Sequence, residues 1–305
     1  MSQAHQPVLY KEIIHALRPR NAGRYVDGTV GAGGHAAGLL AASGPTGSLL
    51  GLDVDPMAVD LAQRTLAPFG ERACIKRASY TTLPQQAASL GWDAVDGILL
   101  DLGASSMQFD TAGRGFSFLQ DGPLDMRFDP SQGLSAGDIV NGWSEAELAD
   151  LIYRYGEEPA SRRIARALVA ARPVQGTHQL AGIIEKVLPR RGAHHPATRT
   201  FQALRISVNN ELEAVEQTLP MLIDLLRPGG RLAVIAFHSL EDRLVKETFH
   251  RESRDCLCPP RQPVCTCGHK AILTEINRRP ITPSEDETRE NPRARSAKLR
   301  VAERI

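Results

Sequence analysis

Between Asp27 and His35 the chain reads DGTVGAGGH, and two further acids, Asp53 and Asp101, each close an apolar run. Within the loop, Gly31 to Ala36 fits the pattern G-x-G-x-x-A. Such a turn lets the backbone approach a ligand closely at a helix N-terminus, and an acid about twenty residues on suits ribose hydroxyls. Two cofactors compete for this layout. A nicotinamide dinucleotide would set its pyrophosphate on the helix N-terminus, where N–H groups and the dipole favour anions. S-adenosylmethionine has no phosphate and carries a cationic amine and a cationic sulfonium. Asp27, just before the glycines, would repel a pyrophosphate and attract the amine. A bare tight turn that needs glycine for positive φ accounts for one or two of these glycines. It does not account for four together with Asp27 and Asp53.

Two other clusters could do chemistry. Cys256, Cys258, Cys265 and Cys267 form two Cys-x-Cys pairs; Cys74 stands apart. Four thiolates can hold Zn²⁺ tetrahedrally, but the usual structural spacing is Cys-x₂₋₄-Cys. No metal is expected at the glycine loop, and for the cysteines zinc, a reduced loop and a disulfide all stay open. Basic residues gather at Arg162, Arg163 and Arg166, at Arg190, Arg191, His194, His195 and Arg199, and from Arg278 and Arg279 to Arg293, Arg295, Lys298 and Arg300. Each set alone reads as a solvated face. Around a nucleotide-like site they suit phosphates, which position a nucleic acid without reading its sequence.

The elements that must carry these groups alternate. Strands are expected at 24–27, 48–53, 73–76 and 95–101, with helices at 35–42 and 55–66 between them, which implies βαβ units and a mostly parallel sheet. The rhythm breaks after Asp101. Residues 103–133 read as a long ordered loop. Helices follow at 145–155, where Ser144 and Glu147 form a capping box, and at 159–171 and 177–188. Residues 197–226 make one long helix or two, with Pro220 as the break. Arg227-Pro228-Gly229-Gly230 reads as a turn, followed by a strand at 231–237, a helix at 239–251 capped at Ser239, and strands at 271–276 and 297–302. The simplest account is a discontinuous α/β domain, 1–103 and 209–305, with a mainly helical substrate-recognition insertion at 104–208. The chain has 305 residues, 42% of them hydrophobic, and a net charge of +1. That excludes a disordered chain and neither demands nor excludes a nucleic-acid partner. No apolar run reaches the ~18–20 residues of a membrane span. A soluble, cytoplasmic protein with no membrane partner is expected, and a homodimer is compatible with this composition.

Several segments together resemble the ribosomal RNA small-subunit methyltransferase H family (MraW/RsmH). They are HQPVL at 5–9, DGTVGAGGH at 27–35, DLGASS at 101–106, RGFSFLQDGPLDMRFDP at 114–130, HPATRTFQALR at 195–205, FHSLEDR at 237–243 and NPRAR at 291–295. They run in order along almost the whole chain. The resemblance implies a class I, Rossmann-like methyltransferase fold with an inserted helical domain. It implies methyl transfer from S-adenosylmethionine to the exocyclic N4 amine of a cytidine in the decoding region of 16S rRNA, within the small ribosomal subunit. Carried over by motif position, it implies that Gly33, Gly34, His35, Asp53, Tyr80, Asp101 and Gln108 line the cofactor; the charge argument adds Asp27. Core packing is the other reading of Tyr80.

The cytosine amine is a weak nucleophile because its lone pair is shared with the ring, so a hydrogen-bond acceptor is expected at the end of the fourth strand. Amino-methyltransferases often carry Asp/Asn-Pro-Pro-aromatic there. This chain keeps the acid, Asp101, without the prolines or the aromatic, and Asp101 and Ser105 are the candidate catalytic groups. Phe116 or Phe118 would cover a flipped base or else anchor the loop in a core. Asp125 and Arg127 are expected to pair internally or to contact RNA, and His238, at the end of the fifth strand, to be structural or to meet substrate. The competing functions are a small-molecule or protein methyltransferase and a non-catalytic RNA-binding assembly factor that keeps the fold.

Overall fold

A computed structural model describes residues 7–188 and 195–305. The chain divides into two compact units, Met1–Gly103 with Leu212–Ile305, and Ala104–Glu211. Among the described residues, seven strands make one sheet: β1 (Arg24–Asp27), β2 (Ser48–Asp53), β3 (Ala73–Arg77), β4 (Val95–Asp101), β5 (Leu226–Ala236), β6 (Leu273–Glu275) and β7 (Lys298–Arg304). Their order is β3-β2-β1-β4-β5-β7-β6. The first five are parallel, and β7 runs antiparallel to both β5 and β6. This is a Rossmann-like α/β sheet whose last strand is inserted backwards, where the dinucleotide-binding fold keeps the order 3-2-1-4-5-6.

Strand residues alternate between two cores. Val26, Leu50, Ile98 and Leu100 face one way and pack with α4 (Leu83–Ala88), α11 (Glu211–Leu225) and α12 (Ser239–Glu252). Tyr25, Leu49, Leu99 and Ile235 face the other and pack with α1 (Tyr10–Leu17), α2 (Gly34–Ala42) and α3 (Pro56–Leu66). Burial on both faces explains why these strands read as continuous apolar runs. The second unit holds α5 (Ser106–Asp110), α6 (Ala136–Gly142), α7 (Glu145–Gly156), α8 (Ser161–Ala170), α9 (Thr177–Val187) and α10 (Thr198–Asn209) around a core of its own. A last short helix, α13 (Glu285–Glu290), precedes β7.

Four local expectations need correction. The helical stretch at 197–226 breaks at Asn210, whose φ is +50°, and Pro220 sits inside α11. Asparagine tolerates the left-handed conformation that ends a helix. The Arg227–Gly230 turn lies within β5 as a bulge: Val95 pairs with Leu226, but Gly97 already pairs with Arg231. The long loop at 103–133 contains α5. The cap of α12 is His238, whose side chain accepts from the Glu241 N–H, and Ser239 is its first residue. No helix among the described residues is long and apolar enough to cross a membrane.

Candidate active site

Three acids stand at the C-terminal ends of neighbouring strands: Asp53 on β2, Asp27 on β1 and Asp101 on β4. Asp27 pairs with Gly51 and with Leu99. Asp53 and Asp101 therefore lie two residues beyond its partners, and the period of two puts all three on one face. It is the face that α2 covers. Strand order reverses between β1 and β4, the place where open α/β sheets bind ligands.

The glycine turn is pinned by its neighbours. Gly28 N–H donates to Leu99 O (2.9 Å), Val30 N–H to Leu52 O (2.8 Å) and Gly31 N–H to the Asp53 carboxylate (3.0 Å). Thr29 Oγ1 accepts from the Asp101 N–H at 2.6 Å, tying the turn to β4. Gly33, with φ +86°, caps α2, and a Cβ on it would lie 3.3 Å from the Ala62 backbone. A Cβ on Gly28 would meet Leu100 at 2.6 Å and Tyr80 at 3.0 Å. Tyr80 thus reaches the glycine turn and also packs on the core.

Electrostatically the site asks for a cation. Asp27 is 1% exposed. Burial raises its pKa to about 7, against the opposing Thr29 N–H bond, and the charge of Asp53 raises it further. Asp53 rises to about 6, again chiefly from burial, although N–H bonds from Asp55 and Gly31 pull it down. Asp101 rises to about 8 through burial and then the charges of Asp27 and Glu241. Its Oδ1 is buried with no hydrogen-bond partner. Among the described residues no Lys or Arg pairs with any of the three. His35 Nε2 lies 3.8 Å from Asp101. Burial lowers the His35 pKa to about 4, so near neutrality the imidazole is uncharged and the contact is no ion pair. Both ring nitrogens are buried, and Tyr10 stacks on the ring at 6.2 Å. A ligand with two positive centres fits this donor set, and a pyrophosphate does not.

The sheet edge thus gathers Asp27, Gly33, Gly34, His35, Asp53, Tyr80 and Asp101. Ser105 and Gln108 belong to the second unit, where they bind each other. Ser105 Oγ accepts from Gln108 N–H (3.3 Å) and Gln108 Oε1 accepts from Ser105 N–H (3.0 Å), a capping box for α5. Phe116 is buried and stacked on Phe128, centroids 5.7 Å apart; it is core. Phe118 is half-buried between His195 and Phe201. Arg127 grips Asp125 through two hydrogen bonds of 3.0 and 2.6 Å. Of the arginines, Arg162, Arg163 and Arg166 are exposed on α8. Arg163 bonds Val187 O, Arg166 meets Glu145 at 3.5 Å, and Arg199 meets Glu158 at 3.4 Å. Arg162 has no side-chain partner among the described residues. Arg190, Arg191 and His194 lie outside the described residues. Lys298 and Arg300 both bind Asp242, so part of the C-terminal basic set is structural. Two residues at this edge, Thr29 and Tyr10, escape a reading of the sequence. Thr29 sits inside the glycine motif, where its role could have been sought; nothing in the sequence around Tyr10 points to His35.

The fold and this acid-lined edge define a Rossmann-like, S-adenosylmethionine-dependent methyltransferase. The model of the MraW methylase family matches residues 2–305. A protein named ribosomal RNA small subunit methyltransferase H from Thermomicrobium roseum is 52% identical over 309 residues, covering 100% of this chain and 95% of that one. One of the same name from Syntrophus aciditrophicus is 52% identical over 307 residues, covering 99% and 98%. The solved structure of an rRNA methylase from Streptococcus thermophilus is a loose likeness, with TM-score 0.46 and 10% identity over 99% of each chain. The chain belongs to the MraW methylase family.

Proposed function

We propose that this enzyme methylates the exocyclic N4 amine of one cytidine in the decoding region of 16S rRNA, with the small ribosomal subunit as substrate. The methyl-transfer half of the reading is carried by one observation: buried Asp27 and half-buried Asp53 and Asp101 share one sheet edge, and among the described residues no Lys or Arg pairs with any of them. The RNA half draws on the name shared by relatives about half identical along the whole chain and on the exposed arginines of α8.

Bound at this edge, S-adenosylmethionine supplies a methyl group activated by its positive sulfur. Asp27 takes the ligand's amine, Asp53 the ribose hydroxyls, and the Gly33–Gly34 backbone lets the ligand come close. Gly31 N–H and Asp55 N–H each occupy one Asp53 oxygen, and the remaining lone pairs stay open to hydroxyl donors. Neutral, buried His35 keeps a competing positive charge out of the site. Asp101 accepts the cytosine N–H, which returns electron density to the nitrogen, and then takes the proton that the methylated amine must lose. In the ligand-free chain burial holds this carboxyl near pKa 8; a cation bound at the same edge favours the ionised form that can accept the proton. Much of the rate comes from holding the amine in line for displacement. Arg162 and its neighbours contact phosphates and position the RNA.

The test is to incubate small subunits lacking the modification with labelled S-adenosylmethionine and resolve the nucleosides. Label in N4-methylcytidine is expected. Label in another base, or none, overturns the reading.

A further inference from the structure

Residues 253–272 join α12 to β6 without a helix or strand, and no side chain in that span is buried. Leu257 and Val264 stand 38% and 70% exposed. Loops longer than about 12–15 residues need some source of order, and this one has no core. Its base is closed by Ile272 N–H donating to Glu252 O at 2.8 Å. Its far end is closed by sulfur. The Sγ atoms of Cys256, Cys258, Cys265 and Cys267 all lie within 4.8 Å of one another.

The spacing suits a single four-sulfur metal site. Cys256 to Cys265 is 3.4 Å, Cys265 to Cys267 is 3.6 Å and Cys256 to Cys267 is 3.9 Å. Zn²⁺ holding four sulfurs at about 2.3 Å sets neighbouring sulfurs about 3.8 Å apart. Disulfides would join the thiols in pairs, whereas here three sulfurs touch mutually, and all are free thiols. A cluster of two or four irons would spread the sulfurs over different metals, further apart than this.

The backbone supports charged sulfur as well. Leu257, between the first two cysteines, donates its N–H to Cys267 Sγ at 3.3 Å. Thr266, between the second two, donates to Cys258 Sγ at 3.4 Å. The middle residue of each pair thus serves the second sulfur of the other pair. Cys258 N–H adds a bond to Cys256 Sγ at 3.4 Å. Such N–H···S bonds are the outer contacts that orient and stabilise metal thiolates. They also account for the unusual Cys-x-Cys spacing, because the single intervening residue is used to brace the opposite pair.

We propose that Cys256, Cys258, Cys265 and Cys267 bind one structural Zn²⁺ ion that clips the 253–272 loop closed. Closed, four-thiolate sites of this kind hold structure rather than react. The metal supplies the order that burial does not, since binding free energy there is local folding free energy.

The test uses the full chain, reduced, stripped of metal and titrated with Co²⁺. Intense sulfur-to-cobalt absorption with the blue-green bands of a tetrahedral thiolate site is expected, saturating at about one Co²⁺ per chain and bleached by Zn²⁺. Cys74→Ser leaves the titration unchanged. Cys265→Ser with Cys267→Ser abolishes it and makes the loop a site of rapid proteolysis, while circular dichroism of the double variant stays that of a folded chain. Elemental analysis of protein never exposed to chelator gives zinc in about the same ratio. Four reactive thiols with no cobalt band would overturn the proposal. So would iron or copper in place of zinc, or a mass showing disulfides in protein purified without oxidant.

Discussion

At the scale of single residues, the site works through carboxylates placed where charge is costly. Asp27 and Asp53 have folded-state pKa values of about 7 and about 6, both above the ordinary 3.8. The folded chain therefore holds more protons than the unfolded chain between these values. The stability that this brings is complete below about pH 4 and is lost as pH rises through about 6 to 7. A cationic ligand draws the same groups into their charged form and expels protons. Affinity for S-adenosylmethionine is thus expected to rise from about pH 5 to pH 7, with a limit of about tenfold per unit for each proton released. Calorimetry in buffers of different ionisation enthalpy reads the proton count, and a flat profile would argue against the assignment. Asp101→Asn removes the proton acceptor at β4. It should lower kcat by about 10²–10⁴ while the cofactor Kd moves only a few-fold; a near-normal kcat would exclude Asp101 from the chemistry.

Elements decide whether those residues meet. The turn between β1 and α2 has Gly33 at φ +86° with the Ala62 backbone close by. Gly33→Ala should cost about 1–2 kcal/mol in the left-handed conformation alone, and should weaken cofactor binding because the start of α2 must shift. Thermal unfolding with and without ligand separates the two effects. In the second unit, α7 begins with a capping box: Ser144 Oγ accepts from Glu147 N–H at 3.3 Å and Glu147 Oε2 accepts from Ser144 N–H at 2.8 Å. Ser144→Ala should destabilise this unit by about 1 kcal/mol and leave the affinity for S-adenosylmethionine unchanged. A change in that affinity would mean that α7 contributes to the cofactor site.

For the whole molecule, a net charge of +1 hides how the charges are used. Arg231, Arg300 and Arg205 are consumed by Glu303, Asp242 and Glu211. Arg162 is exposed and is not so consumed among the described residues. Binding to small-subunit RNA should weaken steeply with added salt. Arg162→Glu should lower that affinity and flatten the log–log salt slope by about one for each phosphate that is no longer neutralised. If the variant matches the parent at every salt concentration, the α8 face has no part in RNA binding.

Local chemistry was legible in the sequence wherever a rule acts over a few residues. Apolar runs ending in acids marked β1, β2 and β4, Ser144 and Glu147 announced the start of α7, and the glycine turn announced a nucleotide-like cofactor. Asp27 already spoke for a cationic one. Tertiary structure decided what distance in the chain conceals. Parallel register put Asp27, Asp53 and Asp101 on one face, and their burial together is what raises all three pKa values. It placed Phe116 in a core, stacked on Phe128. It also spent Lys298 and Arg300 on Asp242. These outcomes depend on residues far apart in the chain coming within a few ångströms, which spacing along the chain does not encode. The glycine loop with Asp27 named a cationic ligand; the assembled sheet edge adds Asp53 and Asp101 on the same face, with no Lys or Arg paired to any of the three among the described residues.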